Sequence, residues 1–270
     1  MTSSSYQASD GAAYEGFIGR WSRRVADRIA EMVAPTAEGG LLDVGCGTGS
    51  MAAALRAAHP DRAVTGIDVA EPYLAHARGR PDCAGVSFLR QDAMALGFAD
   101  RSFGGAYALI ALNFMPDPLR AAREMVRTTR PGGTLVAAAW DFRGGLVYQR
   151  LLWDTAAGID PAAAATRDKI FSNPLAKPDG MRDLWQAAGL RDVARHSVTV
   201  RMDFAGWDDY WQPLLAGQGP VGSYVAGLEP ALRARVAEAV RAAFLSGDAD
   251  GPRSLAATSW VVTGIVSHHE

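Results

Sequence analysis

The stretch Leu41-Leu42-Asp43-Val44-Gly45-Cys46-Gly47-Thr48-Gly49 decides the fold of this 270-residue chain. An apolar run ends in an acid, three glycines follow at alternate positions, and an Ala/Leu-rich segment continues to Ala58. This order predicts a buried strand, a tight turn and the N-terminus of a helix. Glycines lack Cβ atoms, so a ligand can lie directly against the backbone of such a turn.

The spacing of these glycines separates two kinds of nucleotide ligand. A dinucleotide loop usually reads G-x-G-x-x-G and binds a pyrophosphate at the helix N-terminus. Gly45, Gly47 and Gly49 read G-x-G-x-G, and Asp43 stands before them, where its charge would repel a pyrophosphate. A carboxylate suits S-adenosylmethionine (SAM), which carries an ammonium and a sulfonium group. We therefore expect SAM rather than NAD at this loop.

Strands and helices alternate along the rest of the chain. Apolar runs predict strands at 41–44, 63–68, 86–90, 103–112, 133–139, 193–200 and 258–265. Helical segments follow the first, second and fourth of these strands, and this alternation predicts a doubly wound α/β sheet of mostly parallel strands with helices on both faces.

Asp68 ends the second predicted strand, in Gly66-Ile67-Asp68-Val69. A carboxylate at this edge of a sheet can accept hydrogen bonds from both hydroxyls of a ribose. The alternative is a helix cap, because a helical segment begins near Glu71. We favour the ribose because the glycine turn lies upstream, and both roles can hold at once.

Gln91-Asp92-Ala93 follows the third predicted strand. Asp92 can accept a hydrogen bond from an adenine amino group, and Ala93 can donate its backbone N–H to a ring nitrogen. An ordinary loop aspartate is the alternative. Because Asp43, Asp68 and Asp92 all end successive predicted strands, and ligands of open α/β sheets bind at that edge, we favour the adenine contact.

Taken in order, these motifs resemble the signatures of class I SAM-dependent methyltransferases. The resemblance covers about residues 38–140 and is carried by Leu41–Gly49, Thr65–Val69, Gln91–Ala93, Ala108–Asp117 and Arg130–Gly133. It is strongest to the small-molecule branch that includes the quinone C-methyltransferases. It implies a Rossmann-like seven-stranded sheet with an antiparallel last strand, SAM as cofactor and S-adenosylhomocysteine (SAH) as product.

The resemblance also implies the residues of the cofactor site. By position, the glycines match the loop under the methionine moiety, Asp68 matches the ribose acid, and Asp92 and Ala93 match the adenine contacts. The full predicted cofactor set is Arg20, Asp43, Gly45, Cys46, Gly47, Gly49, Asp68, Val69, Gln91, Asp92, Ala93 and Asn113. Asn113 is included because it follows the fourth predicted strand, where a substrate should approach the methyl group; a plain turn residue is the alternative.

A narrower resemblance links the chain to a bacterial subgroup of this family. It rests on Tyr14–Ser22, Asp208–Pro213 and Gly217–Pro220. Within the first segment, Arg20 could pair with the methionine carboxylate, or be a surface arginine. The family has no universal catalytic residue, so the candidates for a general base are Tyr14 and Asp141.

Two stretches interrupt the alternation and carry aromatic side chains. They divide the chain into an N-terminal tail and helix or lid (1–37), a SAM-binding core (38–143, 177–203 and 229–270) and two insertions (144–176 and 204–228). Loops at the ligand edge supply specificity on a fixed scaffold, so we expect both insertions to form a small helical and irregular substrate cover. Trp153, Tyr210 and Trp211 are predicted to bind the substrate, although aromatics also pack cores.

Composition excludes several other classes of protein. The net charge is −2 and no run of basic residues occurs, which disfavours a nucleic-acid surface. Cys46 and Cys83 indicate neither a disulfide framework nor a metal site. No segment has the uninterrupted apolar length of a membrane span, so we expect a cytoplasmic monomer or homodimer without metal.

The sequence thus predicts direct in-line transfer of the SAM methyl group to a small aromatic or hydrophobic molecule. Positioning and desolvation would be the main work of the protein. The alternatives are a non-catalytic SAM-binding protein and an NAD-dependent oxidoreductase. The second would need a catalytic pair of the Tyr-x-x-x-Lys type, and none stands out.

Overall fold

A computed structural model describes residues 10–267. Residues 1–9 of the predicted N-terminal tail and residues 268–270 lie outside the described residues. The strands are β1 Gly40–Val44, β2 Val64–Asp68, β3 Ser87–Arg90, β4 Phe103–Leu109, β5 Thr129–Trp140, β6 Arg191–Phe204 and β7 Arg253–Ile265. The α-helices are α1 Gly11–Tyr14, α2 Arg20–Met32, α3 Ser50–Ala58, α4 Glu71–Arg78, α5 Pro118–Thr128, α6 Val147–Ala157, α7 Pro161–Ser172, α8 Gly180–Ala187, α9 Trp207–Leu215, α10 Gly219–Gly227 and α11 Pro230–Leu245.

The seven strands form one sheet in the order β3-β2-β1-β4-β5-β7-β6. Neighbours from β3 to β5 pair in parallel, whereas β7 runs antiparallel to both β5 and β6. The predicted α/β class, the strand number and the reversed last strand are confirmed. Central β4 is buried along almost its whole length, as parallel strands covered on both faces are. Edge strand β6 alternates between exposed and buried residues over its second half.

Two hydrophobic cores cover the two faces of this sheet. One includes α2 and α3 and extends into the helices of the two insertions. The other lies under α5 and α8, where Met125 and Trp185 are fully buried. The two-sided burial explains the long apolar runs in the sequence of β1 and β4.

The two insertions are more regular than predicted. Segment 144–176 forms α6 and α7, and segment 204–228 forms α9 and α10. Pro161 and Pro220 stand in the first turn of α7 and α10, where proline favours a helix because its missing N–H has no intrahelical acceptor. Pro161 and Pro220 therefore mark the starts of helices and not irregular backbone, whereas Pro213 lies within α9.

The insertions also contact each other. The Tyr224 hydroxyl of α10 donates to the Asp160 carboxylate, which caps α7, over 2.9 Å. The Tyr224 ring lies 5.2 Å from the Trp153 ring of α6. None of the helices between residues 10 and 267 is long and apolar enough to cross a membrane.

Candidate functional site

A cavity of about 500 Å³ opens at the carboxyl ends of β1 to β5. Residues that follow each of these strands line it, together with residues from the N-terminal helical segment, α7 and α10. The lining from the sheet includes Gly45, Cys46, Gly47, Thr48, Asp68, Val69, Gln91, Asp92, Ala93 and Asn113. Most of the predicted cofactor residues therefore share one wall of one cavity.

The glycine turn after β1 has the backbone that only glycine adopts easily. Gly45, Gly47 and Gly49 have φ angles of +69°, +53° and +86°, in the left-handed region that L-residues avoid. A Cβ on Gly45 would lie 2.5 Å from the Cβ of Ala111, whereas one on Gly47 would meet nothing closer than 3.9 Å. Gly45 is thus required by packing, and Gly47 leaves its backbone uncovered toward the cavity.

Asp68 joins this turn to the next loop. Its Oδ2 accepts from the Gly47 N–H over 2.9 Å and its Oδ1 accepts from the Ala70 N–H over 2.9 Å. The pKa of Asp68 is raised, because burial outweighs the lowering effect of the bonds from the Ala70 and Gly47 amides. The N-cap of α4 is Ala70 and makes no side-chain capping bond. Asp68 therefore orders the loop before the helix and still lines the cavity.

The loop after β3 holds its polar side chains by bonds to its own backbone. Asp92 Oδ1 accepts from the Met94 N–H, and Gln91 Oε1 accepts from the Gly97 N–H, each over 2.9 Å. Ala93 is buried beside them. The loop is thereby ordered with Gln91, Asp92 and Ala93 on the wall.

The sequence prediction placed Asp43 against the cofactor, but the structure buries it beneath the loop. Its side chain is fully buried, Oδ2 accepts from the Ala52 N–H over 2.9 Å, and it does not line the cavity. Oδ1 has no hydrogen-bond partner in the described part of the chain. Burial raises the pKa of Asp43 to about 8, against the bond from Ala52. Asp43 lies behind the turn and ties it to α3.

Arg20 also lies away from the cavity wall. Its guanidinium donates to the Asp209 carboxylate of α9 over 2.8 Å and lies 4.3 Å from the centre of the Trp21 ring. The pairing with a cofactor carboxylate that the sequence suggested is replaced by this contact between α2 and α9. Arg20 turns away from the cavity because the Asp209 carboxylate provides a charged partner within the chain.

The two candidate bases occupy different positions. Tyr14 lines the cavity, with its ring 5.1 Å from that of Tyr73. Asp141 does not line it, and its Oδ1 accepts from the backbone N–H groups of Arg143 and Gly144 in the turn after β5. Of the two, only Tyr14 is in a position to meet a ligand.

A second polar network holds the other side of the glycine turn. The Thr48 hydroxyl donates to Glu15, and the Arg80 guanidinium donates to the Thr48 carbonyl oxygen over 2.8 Å. Glu15 also accepts from Arg23 of α2, and Arg80 donates twice to Asp82. Neither Glu15 nor Arg80 lines the cavity, so this network fixes the turn from behind.

The predicted substrate aromatics belong to the core. Trp153 is 0%, Tyr210 is 2% and Trp211 is 6% exposed, and none of them lines the cavity. Trp153 packs against Tyr224, Trp211 stacks on Trp207, and the Tyr210 hydroxyl donates to the Tyr148 carbonyl oxygen. The prediction of a substrate wall at these three residues is corrected, because packing between the two insertions turns their rings inward.

Other side chains form the half of the cavity beyond the sheet. Its apolar lining consists of Phe17, Ile18, Phe114, Met115, Trp140, Phe142, Ile170 and Pro220, and its polar lining includes Gln149, Thr166, Lys169, Asn173 and Ser223. One signal for part of this set existed in the sequence. Thr166, Lys169, Ile170 and Asn173 follow the spacing of one helical face, but nothing local indicates what that face meets.

Asn113 connects the two halves. It lines the cavity after β4, and its carbonyl oxygen accepts from the Asn173 amide at the end of α7 over 3.0 Å. The Tyr73 hydroxyl of α4 likewise donates to Gln218, just before α10, over 3.1 Å. Both insertions are thus bonded to the sheet side of the cavity. Within residues 10–267 no group of three or more His, Cys, Asp or Glu side chains could hold a metal ion.

Comparison with known proteins finds sequence similarity to methyltransferases. A family model described as a methyltransferase domain matches residues 42–137. The chain is 34% identical to the O-methyltransferase cnsE of Penicillium expansum over 174 residues, which cover 63% of this chain and 58% of that protein. It is 31% identical to the 2-methyl-6-phytyl-1,4-hydroquinone methyltransferase of Synechocystis over 182 residues, which cover 66% of this chain and 55% of that protein. The matched chain thus spans little more than half the length of these relatives.

The fold recurs in solved structures. The phosphoethanolamine N-methyltransferase 2 of Haemonchus contortus, in complex with phosphomonomethylethanolamine and SAH, aligns with a TM-score of 0.55 at 16% identity. The alignment covers 95% of this chain and 57% of that one. At this identity the likeness concerns the fold alone.

Proposed function

Because the chain belongs to the class I SAM-dependent methyltransferase family, we propose that it transfers a methyl group from SAM to a small, largely apolar molecule. The observation that carries the proposal is the division of one cavity into two unlike halves. One half consists of strand-end loops with an uncovered glycine backbone and two acids, and the other consists mainly of aromatic and aliphatic side chains.

The residues present fit SAM. The backbone at Gly47 is open to the cavity, so the methionine moiety can lie on it without meeting a Cβ. Asp68 uses each carboxylate oxygen for one backbone amide, and each oxygen keeps a lone pair for a ribose hydroxyl. Asp92 and Ala93 line the cavity from the loop after β3. They could contact the adenine of a SAM molecule whose ribose lies at Asp68. A volume of about 500 Å³ falls within the common range of ligand pockets, about 300–1,000 Å³.

SAM, when bound, supplies a methyl group on a sulfonium, which is a good leaving group. Bound SAM would give its methyl carbon to the acceptor atom, and the electron pair of the broken carbon–sulfur bond would remain on sulfur in SAH. The protein has to hold the acceptor in line and exclude water. Phe114, Trp140 and Phe142 suit that role because they give the acceptor an apolar wall. Where the acceptor must lose a proton, Tyr14 is the candidate to accept it.

The test is methyl transfer from isotopically labelled SAM to a panel of phenols, hydroquinones and aromatic amines, with SAH formation measured by mass spectrometry. We expect SAH to form in step with a methylated acceptor. Asp141→Asn should keep this activity, since that carboxylate faces a turn. Tight SAM binding without transfer to any acceptor would favour the alternative of a non-catalytic SAM-binding protein, and NAD binding without SAM binding would favour an oxidoreductase.

A further inference from the structure

The half of the cavity beyond the sheet contains one cationic side chain. Lys169 lies on α7, lines the cavity and is exposed to solvent, so it stands where the cavity opens. The chain has two lysines, and the other, Lys177, is exposed and does not line the cavity. The acids on the wall, Asp68 and Asp92, both come from the sheet side.

Lys169 differs from its neighbour Arg167 because no carboxylate is within ion-pair distance of its ammonium in the described part of the chain. Its neighbours on α7 are already paired, Arg167 with Asp168 and Asp154. The remaining polar side chains that the insertions bring to the wall donate to protein oxygens: Gln149 to Tyr148, Thr166 to Ala162, Asn173 to Asn113 and Ser223 to Gly217. Among these side chains, the Lys169 ammonium is the group without a hydrogen bond or ion pair to the described residues.

An unpaired cation above an apolar cavity selects for a particular shape of ligand. A ligand with an apolar body and one anionic oxygen group can bury the body among Phe114, Phe142 and Ile170 while its charge meets Lys169. The opposite orientation is disfavoured, because it would bring the anion toward Asp68 and Asp92. The charge distribution thus selects both the ligand and its direction of entry.

We propose that Lys169 is a specificity residue that binds the anionic oxygen group, a carboxylate or phenolate, of an otherwise aromatic or hydrophobic acceptor. This inference rests on the proposed function, since it assigns the acceptor of the same site. It makes Lys169 a binding residue of the acceptor and gives it no part in holding SAM.

The experiment measures binding of matched acids and amides to the SAH-loaded protein by calorimetry. The probes are 2-naphthoate with 2-naphthamide and anthracene-2-carboxylate with its amide, which differ in charge but hardly in shape. We expect each acid to bind about tenfold more tightly than its amide, as one charge-assisted hydrogen bond at a partly exposed site would give. Screening at high salt should reduce the ratio.

Three variants decide whether Lys169 causes this preference. Lys169→Gln should lower the ratio of acid to amide affinity to about one, Lys169→Arg should keep most of it, and Lys177→Gln should leave it unchanged. Equal affinities for acid and amide in the unmutated protein, binding of none of the acids, or a preference that survives Lys169→Gln would each overturn the assignment. SAM and SAH titrations on the same proteins separate the outcomes: normal SAM binding with no acid preference refutes only Lys169, whereas no SAM binding refutes the proposed function.

Discussion

The two halves of the cavity are built in different ways. The half on the sheet side is made of loops that leave strands β1 to β3, and its shape comes from backbone angles at glycines and from carboxylates that accept neighbouring amides. The other half is made of side chains on the N-terminal segment, on α6, α7 and α10, and at the ends of β4 and β5. The orientation of the insertion helices depends on packing against distant elements. Local sequence determines the first half, and tertiary contacts determine the second.

The largest expected effect tests the second half. Trp153→Ala removes a fully buried ring packed on Tyr224 and should lower the free energy of unfolding by about 3–5 kcal/mol. Ile170→Ala, on the half-buried cavity wall of α7, should cost less. Urea denaturation measures both changes. If Trp153→Ala keeps full stability but abolishes methyl transfer, the ring belongs to the substrate wall after all.

The next effect tests the backbone of the first half. Gly45→Ala places a side chain at a φ of +69° and a Cβ 2.5 Å from that of Ala111. The strain and the clash together should weaken SAM binding by about 2–4 kcal/mol, or roughly 30- to 1,000-fold. Gly247→Ala is the control, since its φ is +88° but its Cβ would be in open space. Equal SAM affinity in both variants would contradict the backbone account.

A smaller effect is expected at the carboxylate. Asp68→Asn keeps an oxygen for a backbone amide but loses the charge, and should weaken SAM binding by about 1.5–3 kcal/mol. Asp141→Asn is the matched control, because that carboxylate also follows a strand at the same sheet edge but does not line the cavity. We expect no more than about a twofold change there. Calorimetry checks both variants. If Asp68→Asn partly unfolds while its folded fraction binds SAM normally, Asp68 has only a structural role.

The smallest expected effect, counted per pH unit, is on the free energy of unfolding and comes from Asp43 beneath the turn. Burial raises its pKa from an ordinary 3.8 to about 8, so the folded protein holds an extra proton between these pH values. Stability should therefore fall as pH rises through that window, by at most about 1.4 kcal/mol per pH unit. Asp43→Asn should flatten this dependence in urea denaturation measured between pH 5 and 8. An unchanged slope would show that another group causes it.

These differences explain how far the sequence could lead. The order of motifs was enough to predict the sheet, the glycine turn and the wall formed by Asp68, Gln91, Asp92 and Ala93, because each follows its own strand to a shared edge. The burial of Asp43 depends on its bond to α3, and Arg20 pairs with Asp209, which is 189 positions away in the sequence. Neither contact follows from the local motif alone.

The sequence placed the insertions at the ligand edge of the sheet, and residues of α7 and α10 do line the cavity, but it did not indicate which side chains face inward. That the insertions cover a substrate stays a prediction. The aromatic content of the insertions suggested the wrong rings, since Trp153 and Trp211 meet other insertion residues and not the cavity. Lys169 was not singled out, because α7 has no strong apolar stripe to indicate which of its faces turns inward. Only packing between α6, α7 and α10 decides this.

We propose that the turn at Gly45 to Gly49 and the acid Asp68 form a site for SAM. Calorimetric titration of the unmutated protein with SAM, SAH and NAD tests it most directly. We expect saturable binding of SAM and SAH at one site per chain and no measurable binding of NAD. Binding of NAD without binding of SAM or SAH would contradict it.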